Sequence, residues 1–195
     1  MDLNAAFLRA MLRQTLVDPR AAARALIATA VPMEARWLAL AVVVVLSALL
    51  GQIGVLMIAG GQAALMFAGG ASVVVQGILL LMTVYATHVV GRVFGGVGSF
   101  ADALLLISWV QFLMVVLQGV QLVAMLLVPP LAGIIAIVSI VMFLWVLTNF
   151  VTELHGFESL GKVFGMILIT FMALAFVMAF VLALLGIQGP GVVDA

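Results

Sequence analysis

The sequence predicts an all-α polytopic integral membrane protein, a bundle of five transmembrane helices preceded by an N-terminal amphipathic helical segment. Two observations lead to this class. Hydrophobic residues make up 68% of the 195 positions and charged residues 7%, whereas soluble domains average about half and about a quarter. The chain also contains five long apolar runs separated by short interruptions, and about 20 residues at about 1.5 Å each cross a hydrocarbon core of about 30 Å.

Composition also excludes several kinds of site and partner. The chain has no cysteine, which excludes disulfides, thiolate zinc sites, iron–sulfur clusters and covalent haem attachment. Seven basic residues balance seven acidic ones, so the chain has no general attraction for nucleic acid. We therefore expect no cofactor, and we expect the partners to be membrane lipids, other membrane proteins or a second copy of the chain.

The N-terminal segment, residues 1–36, is predicted to be helical and to lie in the cytoplasm. Residues 2–17 form an amphipathic pattern, with Leu3, Phe7, Leu8, Met11 and Leu12 on one side and Asp2, Arg9 and Arg13 opposite. Such a helix lies on a membrane surface or packs under the bundle, and the sequence leaves both interpretations open. Asp18 followed by Pro19 predicts the start of a second helix.

The membrane domain is predicted over residues 37–186, with residues 187–195 as a short non-cytoplasmic tail. Its spans cover about residues 37–58, 71–90, 103–127, 131–152 and 163–185. Gly60 to Gly70 is interpreted as an uncharged connection between the first two spans. Ser99 and Asp102 form an S-x-x-D capping signature before the third, and Pro129 with Pro130 predicts a tight turn into the fourth.

All basic residues fall on one side of a five-span arrangement. These residues are Arg9, Arg13, Arg20, Arg24, Arg36, Arg92 and Lys162. The positive-inside rule then places the N-terminus in the cytoplasm and the C-terminus outside. The arginine-rich, nearly lysine-free composition suggests a bacterium with a GC-rich genome, so we expect the bacterial inner membrane and a periplasmic C-terminus. We expect the basic face to contact anionic lipid headgroups.

Each of three spans carries one polar stripe. The stripes are Gln76, Thr83 and Thr87 in span two, Ser108, Gln111, Gln118 and Gln121 in span three, and Ser139, Asn149 and Glu153 in span four. Unpaired amides are costly in hydrocarbon, so we expect these stripes to face each other inside the bundle. Two interpretations remain: hydrogen bonds that join helices, or a route for a solute or an ion. A relay of protons or ions usually has a charged residue in mid-span, and here the middles of the spans carry none.

Two histidines, His88 and His155, are predicted near the cytoplasmic helix ends, close to Glu153. Two imidazoles and a carboxylate suit zinc, but the spacing gives no local ligand motif such as H-x-x-x-H. The favoured interpretation is that these histidines cap helices or contact headgroups, and no metal is expected.

Two short matches to catalytic motifs are incomplete. Gly95 to Ser99, GGVGS, lacks the lysine and the preceding strand of a P-loop. Ser159 to Lys162, SLGK, has the S-x-x-K spacing of serine acylases without their other two motifs. Both are interpreted as turns, and we expect no enzymatic activity.

Three stretches carry a family resemblance. They are the glycine-rich turn with SFADALLLISWVQ at Gly95 to Gln111, ELHGFESLGK at Glu153 to Lys162, and DPRAAARALI at Asp18 to Ile27. With these stretches the chain resembles the bacterial branch of the Yip family, five-span proteins whose eukaryotic members bind Rab-type GTPases. The resemblance implies a small membrane protein with a cytoplasmic N-terminus that serves as an adaptor in membrane organisation. It carries over no binding residues.

Three functions therefore stand as hypotheses. The preferred one is a non-enzymatic membrane adaptor or membrane-organising protein that acts through lateral helix contacts and a basic cytoplasmic face. The second is a transporter or channel that uses the polar stripes of spans two to four. The third is an accessory subunit of a larger complex that docks through Phe164, Phe171 and Phe180 of span five, although phenylalanine facing lipid explains these residues as well.

Overall fold

The computed structural model describes residues 5–67 and 70–184. This part of the chain is all-α and contains seven helices. They are α1 (Ala5–Val17), α2 (Pro19–Ala28), α3 (Met33–Phe67), α4 (Gly70–Val93), α5 (Phe100–Leu127), α6 (Pro129–His155) and α7 (Leu160–Leu184). The predicted tail, residues 187–195, lies outside the described residues.

Five of these helices are long and apolar enough to cross a membrane, which confirms the predicted fold class. The candidate spans are Met33–Ile58, Ser72–Val93, Phe100–Leu127, Pro129–His155 and Leu160–Phe180. Each contains at least 21 residues, or about 30 Å of helix at about 1.5 Å per residue.

Local sequence signals place several helix ends. The Ser99 hydroxyl accepts a hydrogen bond from the Asp102 amide at 3.0 Å, so the capping signature starts α5. The Asp18 carboxylate accepts from the Ala21 amide at 2.9 Å and caps α2, with Pro19 in its first turn. Gly156 ends α6 in the left-handed conformation, with a φ of 71°, which is why glycine suits this position.

Helix α3 extends beyond the first candidate span, which ends at Ile58, and continues through Gly60 to Phe67. The expectation that a connection begins at Gly60 is therefore wrong. A glycine inside a helix costs only about 1 kcal/mol relative to alanine, and the surrounding residues are good helix formers. At about 1.5 Å per residue the 35 residues of α3 reach about 52 Å, more than the thickness of a hydrocarbon core.

Helix α5 lies at the centre of the bundle. Its most apolar 18-residue window is 56% buried, against 11% to 22% for the other four candidate spans. Every residue from Ala103 to Val110 is buried. Helices α3, α4 and α6 pack around α5, and α7 packs against α6.

The bundle has one end that carries most of the charged groups, here called the charged end. Arg36 at the start of α3 pairs with Asp102 at the start of α5, and His155 at the end of α6 contacts the Thr87 carbonyl near the end of α4. These contacts place the first residues of α3 and α5 and the last residues of α4 and α6 at the charged end. The opposite end is called the far end.

The N-terminal helices α1 and α2 pack against the bundle. Met11 is buried, and Thr15 is fully buried. The indole N–H of Trp109, in α5, donates to the Thr15 hydroxyl oxygen at 3.0 Å. Phe7, Leu8 and Leu12 pack against the same hydrophobic core, so the apolar side of α1 faces protein.

Candidate functional site

The charged end contains a histidine enclosed by a glycine turn. His155 is the last residue of α6 and is 2% exposed. The Gly98 amide donates to Nδ1 of His155 at 3.2 Å, so the ring proton sits on Nε2, which donates to the Thr87 carbonyl oxygen at 3.0 Å. The backbone of the turn is fastened to α6 as well, because the Val97 amide donates to the His155 carbonyl at 3.3 Å.

Three glycines make room for this ring. A Cβ atom added at Gly91, Gly96 or Gly98 would collide with the His155 imidazole. The imidazole therefore lies directly against the backbone of α4 and of the turn that follows. This packing explains Gly96 and Gly98 of the turn without any phosphate or substrate, and Gly95 has a positive φ of 88° that favours glycine.

The second histidine contacts the same turn. His88 Nδ1 lies 3.2 Å from the Gly98 carbonyl oxygen. Because a carbonyl oxygen can only accept, Nδ1 of His88 carries the proton of this hydrogen bond. Gly98 therefore binds one histidine through its amide and the other through its carbonyl. The edge of the His88 ring also meets Phe100, with 6.0 Å between ring centroids.

Two carboxylates of the charged end are held by arginines from the N-terminal region. Arg20 Nε and Arg24 Nη1 lie 3.2 Å and 2.9 Å from Oε2 of Glu153. Arg20 and Arg24 are one helical turn apart, so both reach the same face of α2. The neighbouring Ala22 and Ala23 are fully buried, and these small residues let α2 approach the bundle closely.

Arg36 forms the other pair. Its Nη1 lies 2.8 Å from Oδ1 of Asp102, and its Nε donates to the Val31 carbonyl at 2.8 Å. The Ser99 hydroxyl donates to the second Asp102 oxygen at 2.6 Å. Asp102 therefore joins the start of α3 to the start of α5.

Between α2 and the glycine turn lies a pocket of about 390 Å³. Arg24, Ser99, Asp102 and Glu153 supply its polar wall, and Ile27, Val97 and Leu154 supply apolar atoms. The carboxylates on this wall already bind arginines. The arginine–carboxylate pairs can hold α2 in place. The pocket wall therefore carries both positive and negative groups and does not favour a ligand of one charge.

The three residues of the hypothetical metal cluster are not brought together. His155 uses both ring nitrogens on backbone groups, and Glu153 binds Arg20 and Arg24. Within residues 5–67 and 70–184 no group of three histidine or acidic side chains is placed to hold a metal ion.

The seven basic residues separate into two groups. Arg20, Arg24 and Arg36 are held by carboxylates. The expectation that Arg36 contacts headgroups is wrong, because it is 7% exposed and paired with Asp102. The others are exposed and make no ion pair with any residue that the structure describes; they are Arg9, Arg13, Arg92 and Lys162.

Part of the predicted polar stripes lines one cavity inside the membrane domain. The cavity has a volume of about 290 Å³ and lies between α3, α4 and α5. Its polar wall consists of Ser47, Gln52, Ser72, Gln76, Gln111 and Gln118. Gln52 Nε2 donates to the Ser72 hydroxyl at 3.0 Å. Gln118 also lies close to Gly51, where an added Cβ would be 3.6 Å from its Nε2.

Four other stripe residues bind within their own helices. The hydroxyls of Thr83, Ser108 and Ser139 each donate to the carbonyl four residues earlier, at 2.9, 2.7 and 2.8 Å. Asn149 Nδ2 donates to the Trp145 carbonyl at 2.8 Å. Such bonds satisfy the polar group inside one helix and do not join helices. Gln121 is half-buried and outside the cavity wall.

The phenylalanines of the last span are not one surface. Phe171 stacks on Phe143 of α6, with 6.0 Å between ring centroids. The expectation that Phe171 belongs to an outer docking face is therefore wrong. Phe164 and Phe180 are exposed on α7.

Sequence reasoning missed several residues that position this site. Thr15 and Trp109 carry no pattern that marks them as partners, since 94 positions separate them. Gln52 and Ser72 also escaped notice, although both are polar residues inside predicted spans. A polar residue within an apolar span is a sequence feature that could have identified both residues.

A comparison with known families agrees with the five-helix architecture and with the three stretches at the charged end. The model of the Yip1 domain matches residues 13–182, a range that runs from the middle of α1 almost to the end of α7. No curated protein and no solved structure matches the chain. The matched range covers most of the sequence, and the chain therefore belongs to the Yip1 domain family.

Proposed function

We propose that this protein is a non-enzymatic membrane adaptor or membrane-organising protein. The observation that carries the proposal is the division of the basic residues. Arg20 and Arg24 fasten α2 to the bundle and Arg36 joins α3 to α5, while Arg9, Arg13, Arg92 and Lys162 are exposed. A fixed basic surface of this kind attracts anionic lipid headgroups at about 1 kcal/mol per basic residue.

The proposed orientation follows from the same residues. The positive-inside rule places the exposed cations, and the charged end with them, in the cytoplasm. Because the number of candidate spans is odd, the C-terminus then lies on the other side. In a bacterium the membrane would be the inner membrane.

Lateral contacts are proposed through α4 and α7. Only 11% of the most apolar window of each is buried inside the chain, so both helices offer most of their surface to lipid or to another membrane protein. Van der Waals packing on such surfaces associates helices in a bilayer. The partner is another membrane protein or a second copy of this chain.

Purification in a mild detergent, followed by native mass spectrometry, tests the proposal. We expect a stable oligomer or a stoichiometric membrane partner, together with preferential retention of anionic lipid. A lone monomer that retains anionic and zwitterionic lipids equally would contradict it.

The cavity between α3, α4 and α5 favours a second candidate, a transporter or channel for a small polar solute. Gln76, Gln111 and Gln118 open into the cavity and make no hydrogen bond with another described residue. Since an amide without a hydrogen-bond partner is costly in hydrocarbon, water or a polar solute would hydrogen-bond to these three side-chain amides.

Flux assays in reconstituted vesicles separate the two candidates. For a transporter, Gln111→Leu should abolish flux, whereas Asn149→Leu should leave it unchanged, because Asn149 lies outside the cavity and binds its own helix. The adaptor proposal predicts that the parent protein carries no flux of ions, sugars or amino acids.

A further inference from the structure

A crevice runs along the lipid side of the membrane domain, between α4 and α7. Helix α7 packs against α6 and leaves an open space of about 740 Å³ beside the end of α4. Phe94 lies on the α4 side of this space, and Val163, Met166 and Ile169 line it along α7. A narrower cleft continues from Met166 toward the far end, with α6 as its floor.

The two ends of the crevice differ in polarity. At the charged end it is bordered by Ser159 and Lys162, together with Glu158. Lys162 is exposed and makes no ion pair with any residue that the structure describes. Arg92, also exposed and without an ion pair there, lies two positions before Phe94. The two cations outweigh the single carboxylate, so this end suits an anionic group.

Farther along, the walls are mostly apolar. Thr83, Thr87 and Thr170 line the narrow cleft, and the hydroxyls of Thr83 and Thr170 donate to the Leu79 and Met166 carbonyls of their own helices. These two hydroxyls are therefore satisfied, and the other lining residues apart from Thr87 are apolar or glycine. A hydrocarbon chain can lie against such a wall without leaving a polar group unsatisfied.

The dimensions match one leaflet of a membrane. From Lys162 to Ile169 the helix rises about 10 Å at about 1.5 Å per residue. Half of a hydrocarbon core of about 30 Å is about 15 Å. The open part of the crevice thus follows most of the length that an acyl chain occupies below its headgroup. A free phosphate would not use the apolar walls.

Two glycines keep the α7 wall open. Gly161 and Gly165 are one helical turn apart and both line the space. A Cβ added at either meets no protein atom within 4 Å. The absence of side chains here is therefore not required by packing inside the chain, in contrast to the glycines around His155.

We propose that this crevice binds one anionic phospholipid, with its phosphate beside Lys162 and one acyl chain along Gly165 and Ile169. The site deepens the lipid contact of the proposed function and rests on it for placing the charged end at the headgroups. The basic surface alone would attract anionic lipids without fixing their positions. The crevice instead binds one lipid per chain at a defined position.

Native mass spectrometry with titrated lipid tests this site, using phosphatidylglycerol, phosphatidylcholine and glycerol 1-phosphate as probes. Gly165→Leu fills the wall, and Lys162→Gln removes the cation. We expect the apparent Kd of the first phosphatidylglycerol to weaken at least fivefold in Gly165→Leu and at least threefold in Lys162→Gln. The matched control is Gly133→Leu, an exposed helical glycine outside the crevice whose Cβ also meets no protein atom within 4 Å, and it should stay within twofold of the parent.

Three results would overturn the site. Equal phosphatidylglycerol affinity in all variants would place the lipid elsewhere. Equal affinity of the parent for phosphatidylcholine would remove the role of charge, and equal affinity for glycerol 1-phosphate would indicate an anion site without an acyl chain. The adaptor proposal is tested by recovery of an oligomer or partner, which does not depend on Gly165. A negative result for the lipid site therefore leaves the adaptor proposal standing, and the reverse is also true.

Discussion

The Gly98 amide donates to Nδ1 of His155 at 3.2 Å and joins the turn before α5 to the last residue of α6. The carbonyl of the same glycine faces Nδ1 of His88. One residue, Gly98, therefore connects α4, α5 and α6 at the charged end.

Replacing Gly91 by alanine should destabilise the protein, because the new methyl group collides with the His155 ring. Overpacking of this kind costs about 1 to 3 kcal/mol. The matched control is Gly133→Ala, since Gly133 is also helical and its added Cβ meets open space; it should be neutral or stabilising by up to about 1 kcal/mol. Unfolding in mixed micelles measures both. Equal unfolding free energies for the two variants would contradict the packing around His155.

Glu153→Gln should loosen the N-terminal helices. The substitution removes the charge that binds Arg20 and Arg24, and we expect amide hydrogen exchange across residues 5–28 to accelerate about tenfold, equivalent to about 1.4 kcal/mol. Glu158→Gln is the control, because Glu158 is exposed and has no ion pair among the described residues. If exchange in these helices is the same in both variants, the two arginine contacts do not hold α2.

Arg36→Lys should be nearly as destabilising as Arg36→Ala. Arg36 bonds to Asp102 and to the Val31 carbonyl through different nitrogens, and an ammonium group cannot reproduce that planar geometry. With Arg36 buried, we expect a loss of about 2 to 3 kcal/mol in the free energy of unfolding. Arg92→Lys, at an exposed position, should change it by less than about 0.5 kcal/mol. Full stability of Arg36→Lys would argue against the buried pair.

Thr15 and Trp109 should be coupled energetically. Their 3.0 Å hydrogen bond is buried and joins α1 to α5. A double-mutant cycle with Thr15→Val and Trp109→Phe should give a coupling of about 1 kcal/mol. Additive effects of the two substitutions would show that α1 is not held by this bond.

Much of the fold could be predicted because its signals are local. The apolar runs, the Ser99 cap of α5, the Asp18 cap of α2 and the Gly156 stop each depend on a few adjacent residues. The end of α3 could not be predicted in the same way. Gly60 resembles a helix stop in sequence, yet the cost of one helical glycine is small beside the stabilisation of a long apolar helix.

The site was less predictable because its contacts cross long sequence separations. Arg20 and Glu153 are 133 positions apart, and neither position reveals the other. The burial of Arg36 is also a tertiary property, since an arginine before a span usually faces headgroups. Its position near a predicted helix end identified His155 as a candidate, whereas only packing shows that its ring rests against glycine backbone.

The proposed topology requires α5 to cross the membrane between the charged end and the far end, with the basic residues on the cytoplasmic side. Because the chain has no cysteine, Val97→Cys and Val128→Cys provide single labels at exposed valines of the charged end and the far end. With a membrane-impermeant maleimide applied to intact cells or spheroplasts, we predict labelling of Val128→Cys and labelling of Val97→Cys only after lysis. Labelling of both from the same side would contradict the five-span topology, and the reverse pattern would contradict the cytoplasmic position of the basic face.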